Sequence, residues 1–157
     1  MYRRNYGAAL DELTRAIELK PSYADAHALL AWVPHFAGRP QEGLAAMQRA
    51  IDLNPRVPAT YQLVEGALYY ELGETAEATR VLELAVENNP SYQLVRVFLA
   101  AAYAADENLE EAQWQIDEIH TLDPDFTLAD VERGAPIRDP LYRQKLLSDL
   151  QRAALSY

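Results

Sequence analysis

The chain has 157 residues, half of them hydrophobic and about a quarter charged, a composition typical of one globular domain with its own core. Its formal net charge of -10, from 24 acidic and 14 basic residues, disfavours binding to nucleic-acid phosphates and to anionic membranes. The absence of cysteine excludes disulfides, thiolate zinc sites and cysteine nucleophiles. No run of 18 apolar residues occurs, and residues 1–6 lack the apolar core of a signal peptide. We expect a cytoplasmic protein with no nucleic-acid and no membrane partner, unless a segment outside this chain directs it elsewhere.

The pattern of apolar residues predicts helices along the whole chain. Alanine and leucine dominate the apolar residues, and the long runs of Val, Ile and Thr that indicate strands are absent. The predicted fold class is therefore all-α. In chain order, the predicted helices are 5–19, 24–37, 41–53, 59–72, 75–88, 93–105, 109–121, a short helix at 127–133, and a last helix at 140–154.

Four prolines divide the chain into similar segments. Pro21, Pro55, Pro90 and Pro124 are separated by 34, 35 and 34 residues, and each ends a similar six-residue segment. A proline cannot continue a helix, so each one marks the end of a repeating unit. The one extra residue of the second interval lies either near residues 56–60 or in the turn at 72–75, and we favour the first of these places.

Small and bulky residues recur at fixed distances before these prolines. The residues twelve before the proline are small: Ala9, Gly43, Ala78 and Ala112. Those eight before it are bulky: Leu13, Met47, Leu82 and Ile116. Those five before it are Ala16, Ala50, Ala85 and, as an exception, Ile119. Because these positions share one helix face, they predict close packing of neighbouring helices.

With this 34-residue pattern, residues 1–126 resemble the tetratricopeptide-repeat (TPR) family. The resemblance implies a right-handed superhelical solenoid of antiparallel helix pairs, here with a C-terminal capping helix. We predict a single domain over residues 1–157. Its parts are a half repeat at 5–21, full repeats at 24–55, 58–90 and 93–124, and a C-terminal cap at 127–157. Aromatic residues that follow the prolines, Tyr23, Tyr92 and Phe126, are expected to pack between repeats.

The resemblance also implies a concave groove lined by the first helix of each pair. The residues it assigns to partner binding are Asp25, Ala28, Trp32, His35, Phe36, Leu63, Tyr70, Leu94 and Val97. Some family members bind C-terminal carboxylates through Lys and Asn in this groove, but the matching positions here are apolar. An apolar, aromatic groove favours an apolar or amphipathic peptide or helix as ligand. Pro34 is expected to bend the helix that carries Trp32, His35 and Phe36.

No constellation of residues points to catalysis or to metal binding. His27 and His35 lack acidic residues at helical spacing, and adjacent acids such as Glu110 and Glu111 point about 100° apart. No glycine-rich phosphate loop occurs, and no serine has a nucleophile-elbow context. We predict a non-enzymatic scaffold without a cofactor or a metal, whose partner is a protein or peptide.

The two ends of the chain carry further predictions. Helix 140–154, with Asp139 as its N-cap and a stripe of Leu141, Leu146, Leu147 and Leu150, is expected to cap the solenoid. Residues 123–155 are similar to the tail of bacterial TPR arrays attached to class III nucleotide cyclases or winged-helix transcription regulators. This similarity implies an alternative function as the regulatory or sensory domain of such a protein. At the other end, the apolar residues Leu10, Leu13 and Ile17 predict self-association through the first helix.

Overall fold

The computed structural model describes the backbone of residues 2–36, 39–134, 137 and 139–156, and their side chains apart from those of 2–6 and 33–36. Every regular element in this part of the chain is a helix, which confirms the all-α prediction. The helices are α1 (Tyr2–Leu19), α2 (Ala24–Phe36), α3 (Pro40–Leu53), α4 (Ala59–Glu71), α5 (Thr75–Asn88), α6 (Gln93–Ala105), α7 (Leu109–Leu122), α8 (Leu128–Gly134) and α9 (Pro140–Arg152). Each predicted helix is found with its ends within three residues of the predicted positions.

The helices stack as pairs. Helix α2 packs against α3, α4 against α5, and α6 against α7, and α1 packs on α2. Consecutive pairs meet through α3 with α4 and through α5 with α6, while α2, α4 and α6 also contact one another in turn. The first helices of the pairs therefore form one continuous inner layer of the solenoid.

The repeated prolines end the second helix of each pair by a local steric effect. The residues before Pro55, Pro90 and Pro124 all leave the helical conformation, with φ between -133° and -148° and ψ between 84° and 91°. A proline ring clashes with a helical conformation of the preceding residue, which explains this shared geometry. The backbone then turns into the next repeat.

Close helix contacts depend on small residues. A Cβ added to Gly66 of α4 would lie 2.4 Å from Cγ of Leu82 on α5. A Cβ on Gly43 of α3 would lie 2.9 Å from the carbonyl oxygen of Ala31 on α2. Ala78, which the repeat assigns to the same position as Gly43, is fully buried. The predicted packing role is confirmed for Gly43, Ala78 and Ala112, but it is wrong for Ala9, which is exposed on α1.

The connections confirm the expected place of the extra residue. The loop between α3 and α4 spans residues 54–58, five residues, whereas the loops 20–23 and 89–92 each have four. The turns 72–74 and 106–108 within pairs have three residues each and contain a left-handed residue. Gly73 has φ of 78°, and Glu107 at the matching position has φ of 60°. A glycine adopts this conformation without the steric cost that Glu107 bears.

The C-terminal helix α9 begins as predicted, but it presents a different face. The Asp139 side chain accepts hydrogen bonds from the backbone N–H groups of Leu141 at 2.9 Å and Tyr142 at 3.2 Å, which confirms it as the N-cap. Leu141 itself is 78% exposed, so its predicted place in the apolar stripe is wrong. The buried stripe instead contains Tyr142, Leu146 and Leu150. Adjacent helical residues point about 100° apart, so α9 uses the stripe that starts one residue later.

Helix α9 also lies in an unexpected place. It packs along α6, and its residue Asp149 is hydrogen-bonded to Tyr70 of α4, one full repeat earlier. Leu146 and Leu150 join Val97 and Phe98 of α6 in the larger hydrophobic cluster. The helix predicted to cap the end of the solenoid therefore also folds back over its inner layer.

Candidate peptide-binding groove

An open pocket lies on the inner layer between α2 and α4. Its volume is about 380 Å³. It is lined by Tyr23, Asp25, Ala28, Leu29, Trp32, Thr60, Tyr61 and Val64. Ala28 and Val64 form a buried floor, whereas Leu29 is 53% exposed and Tyr23 is 44% exposed at the rim. The pocket is thus an apolar and aromatic concavity of the kind that holds side chains of a bound peptide.

Helical spacing places these residues together. Asp25, Ala28, Leu29 and Trp32 of α2 are three or four residues apart, so they share one side of the helix. Trp32 is partly buried and packs against both hydrophobic clusters of the chain. It therefore joins the pocket to the core, and its replacement would disturb packing as well as the pocket surface.

One carboxylate at the pocket is held by a tyrosine. The Tyr61 hydroxyl donates a hydrogen bond to Oδ1 of Asp25. Burial raises the pKa of Tyr61 to about 12, and the hydrogen bond and negative charge of Asp25 act in the same direction. Tyr61 therefore keeps its proton at neutral pH. The exposed Asp25 retains acceptor capacity towards a basic group of a ligand.

Three of the nine predicted groove residues line this open pocket, namely Asp25, Ala28 and Trp32. The side chains of His35 and Phe36, like that of Pro34, lie outside the described residues. The other four lie outside this pocket. Leu94 is half-buried, whereas Leu63, Tyr70 and Val97 have 0% exposure.

Helix α9 explains why part of the predicted groove is closed. The Tyr70 ring lies beside the Tyr142 ring, with centroids 6.0 Å apart, and Nζ of Lys145 lies 3.9 Å from the Tyr70 centroid. Val97 joins the same cluster as Leu146 and Leu150 of α9. A partner could reach Tyr70 only if α9 moved, and the predicted roles of Tyr70 and Val97 in partner binding stay predictions.

Although the family resemblance places Thr60 in the groove, the sequence reasoning missed four other pocket residues: Tyr23, Leu29, Tyr61 and Val64. It assigned Tyr23 to packing between repeats, and Tyr92 and Phe126 do pack against the core in that way. Leu29 could have been found, because it lies four residues after Asp25 and three before Trp32. Tyr61 and Val64 adjoin the predicted residues Thr60 and Leu63 on α4, but their direction depends on how α4 meets α2.

Two other kinds of site are absent from the part of the chain that the structure describes. Among those residues, no group of three or more His, Asp or Glu side chains is placed to hold a metal ion. In the same residues, no helix has the length and the apolar character needed to cross a bilayer.

The sequence profile of the family described as Tetratricopeptide repeat matches residues 1–58 and 32–91, which together span more than half of the chain. The chain belongs to the tetratricopeptide-repeat family. This confirms the resemblance carried by the four prolines and the small residues. TPR solenoids present extended concave surfaces for binding other proteins, so the chain has the architecture of a protein-interaction scaffold.

A curated relative and two solved structures extend the comparison. Anaphase-promoting complex subunit 7 of Dictyostelium discoideum is 29% identical over 126 residues, which are 80% of this chain and 21% of that protein. The chain thus spans about a fifth of the length of that TPR relative. The crystal structure of MamA has a TM-score of 0.69 at 17% identity, with 98% of this chain and 93% of that chain covered. YrrB, described as a TPR protein with an unusual peptide-binding site, has a TM-score of 0.65 at 22% identity, with 97% and 78% covered. At these identities, the two structures establish the shared solenoid fold.

Proposed function

We propose that this TPR chain is a non-enzymatic scaffold that binds an apolar or amphipathic peptide or helix in its inner groove. The open pocket between α2 and α4 carries the proposal, because its walls are apolar and aromatic and it is concave. The peptide places an apolar or aromatic side chain between Leu29 and Val64. A basic residue next to that side chain pairs with Asp25.

Three further observations support this ligand class. The inner layer already accommodates one amphipathic helix, since α9 packs along α6. YrrB, which has the same fold, is described as having a peptide-binding site. The chain's net charge of -10 also favours a ligand with a basic residue over an acidic one.

A displayed library of helical peptides tests the proposal directly. Peptides selected on the full chain are measured against the Leu29→Asp variant, which places a charge in the apolar wall. We expect affinity to fall by about tenfold or more, the range of a moderate interface hot spot. Leu29 suits the test better than Trp32, because it is exposed and does not belong to either core cluster.

Leu84→Asp provides the matched control. Leu84 is also an exposed leucine inside a helix, but it lies on α5, outside the pocket. The control should keep the affinity of the parent chain. Equal binding by the parent chain and both variants would show that the selected peptides bind elsewhere.

We also propose self-association through α1. Leu10, Leu13 and Ile17 are half-buried, and they are three to seven residues apart, so they share one side of the helix. Burying these partly exposed side chains against a second copy would remove apolar surface from water. The interface would lie at the opposite end of the solenoid from α9.

An alternative is that the chain acts as a regulatory or sensory TPR domain of a larger bacterial cyclase or winged-helix transcription regulator. The similarity of residues 123–155 to the tails of such arrays favours it. The coding sequence on either side of this segment in its genome tests the alternative. A cyclase or DNA-binding domain in the same reading frame would support it, and a reading frame limited to this chain would contradict it.

A further inference from the structure

Helix α9 occupies the inner layer in the way that a bound helix would. It packs along α6, it contacts Tyr70 of α4 directly, and it shares the larger hydrophobic cluster with Val97, and neither Tyr70 nor Val97 has any exposed surface. The family resemblance assigns both residues to the groove. The inner face of α4 and α6 is therefore a surface that already receives an amphipathic helix, and α9 is its occupant.

The contact between α9 and α4 is centred on polar groups. The Tyr70 hydroxyl donates a 2.5 Å hydrogen bond to Oδ2 of Asp149, and Nζ of Lys145 donates to the same oxygen at 2.9 Å. Nζ of Lys145 also lies over the Tyr70 ring, and Asp149 is only 7% exposed. Desolvation offsets much of the attraction in a buried ionic contact, but its geometry selects a matching side-chain pattern. This contact therefore adds selectivity for α9 more than it adds stability.

Helix α9 is also a separate element of secondary structure. It has its own N-cap in Asp139, and it is separated from α8 by residues 135–139. It uses one face for docking, since Leu146 and Leu150 are buried whereas Leu141 and Arg143 on other sides are exposed. A helix from another protein with the same face could make the same contacts without the intervening chain.

We propose that the inner face of α4 and α6 binds a helix of a partner protein, and that this helix displaces α9. The partner helix has an aromatic residue, then a basic residue three positions later and leucine four later. An acidic residue follows seven positions after the aromatic residue, and a second leucine follows eight positions after it. This is the pattern of Tyr142, Lys145, Leu146, Asp149 and Leu150 in α9. This inference rests on the proposed function, because it assigns a second ligand-binding segment to the same inner groove.

A labelled peptide of residues 139–156 is the probe, and the full chain is the receptor. The tethered α9 competes at a high effective concentration, so the peptide should bind the parent chain weakly. Leu146→Ala combined with Leu150→Ala in the chain weakens the docked helix but leaves the receiving surface of α4 and α6 intact. We expect the peptide to bind this double variant at least about tenfold more tightly than the parent chain. A peptide with the same two substitutions is the matched control, and it should lose that binding.

Fluorescence anisotropy measures the affinities, and far-UV circular dichroism checks that the double variant is folded. An unchanged affinity in a folded variant would overturn the proposal. Exchange of α9 between two copies, seen as a dimer of the variant by light scattering, would also overturn it by identifying a second copy as the occupant. The Leu29→Asp substitution should leave the binding of this peptide unchanged, so a failure here is distinct from a failure of the pocket between α2 and α4.

Hydrogen exchange of the parent chain keeps the test decisive if the double variant does not fold. A displaceable α9 opens without global unfolding, so its amides should exchange faster than those of α4 and α6. Saturating peptide should accelerate exchange in α9 further. Exchange of α9 only through global unfolding would contradict the proposal.

Discussion

The hydroxyl of Tyr70 donates a 2.5 Å hydrogen bond to Asp149, which joins α4 to α9 across 79 positions of the sequence. Both residues are buried. Replacing Tyr70 with Phe removes the donor and leaves the carboxylate with its basic neighbours Lys145 and Arg152. We expect the free energy of unfolding, measured in urea, to fall by about 1–2 kcal/mol.

The matched control for Tyr70→Phe is Tyr103→Phe. The Tyr103 hydroxyl also donates to a carboxylate, that of Glu83, but this pair is exposed to solvent. Water replaces the lost contact at an exposed site, so the cost should stay below about 0.5 kcal/mol. Equal costs for the two substitutions would mean that the buried hydrogen bond has no special role in docking α9.

Gly66 and Gly7 should respond in opposite directions to replacement by alanine. A Cβ at Gly66 would lie 2.4 Å from Cγ of the fully buried Leu82, so Gly66→Ala should lower stability by about 1–3 kcal/mol. No atom lies within 4 Å of a Cβ at Gly7, so the better helix propensity of alanine should raise stability by up to about 1 kcal/mol. Thermal unfolding of both variants measures the difference. A stabilising Gly66→Ala would contradict the close approach of α4 and α5.

Stability should depend on the ionisation of Tyr61 at alkaline pH. Its pKa is raised to about 12 in the folded chain, whereas an unfolded tyrosine has a pKa of about 10. Below pH 10 the folded and unfolded chains both hold the Tyr61 proton, so the stability contributed by its raised pKa is fully present. This contribution is lost as the pH rises towards 12. Between pH 9 and pH 11, the parent chain should lose about 1 kcal/mol more than Tyr61→Phe. Urea unfolding at the two pH values measures the free energy of unfolding of both proteins. Equal losses of stability in the parent chain and in Tyr61→Phe would contradict the raised pKa of Tyr61.

If the chain self-associates through α1, its apparent molecular mass should increase with protein concentration. Leu10→Asp places a charge in the proposed apolar contact, where it cannot be solvated, and should yield a monomer by light scattering. Leu19→Asp is the control on the same helix, because Leu19 is already 78% exposed and points to the opposite side. A parent chain that stays monomeric at high concentration would contradict the proposal.

The helices and the repeat could be predicted because their signals are local. Each proline forces its preceding residue out of the helical conformation, whatever the rest of the chain does. The small residues Gly43 and Ala78 recur at one repeat position, and their burial follows from the helix pairs that they join. The helix ends and the repeat register could therefore be predicted without knowledge of contacts between distant segments.

The candidate site was harder to predict, because it depends on contacts between distant segments. Leu63, Tyr70 and Val97 occupy groove positions of the family, but α9 covers part of that groove. The pattern of α9 is compatible with two apolar stripes, and no local feature favours Tyr142 over Leu141 as a buried residue. Tyr23 is exposed although its counterparts Tyr92 and Phe126 pack against the core, since it follows α1, which packs mainly on α2.

Backbone amide chemical shifts, recorded while the chain is titrated with a peptide selected from the library, test most directly where the ligand binds. Binding in the pocket predicts that the shifted amides cluster on α2 and α4, around Ala28 and Val64. The outer face near Trp114, an exposed aromatic on α7, should stay unchanged. A cluster of shifts on α5 and α7, with unchanged amides on α2, would contradict the inner groove as the binding site.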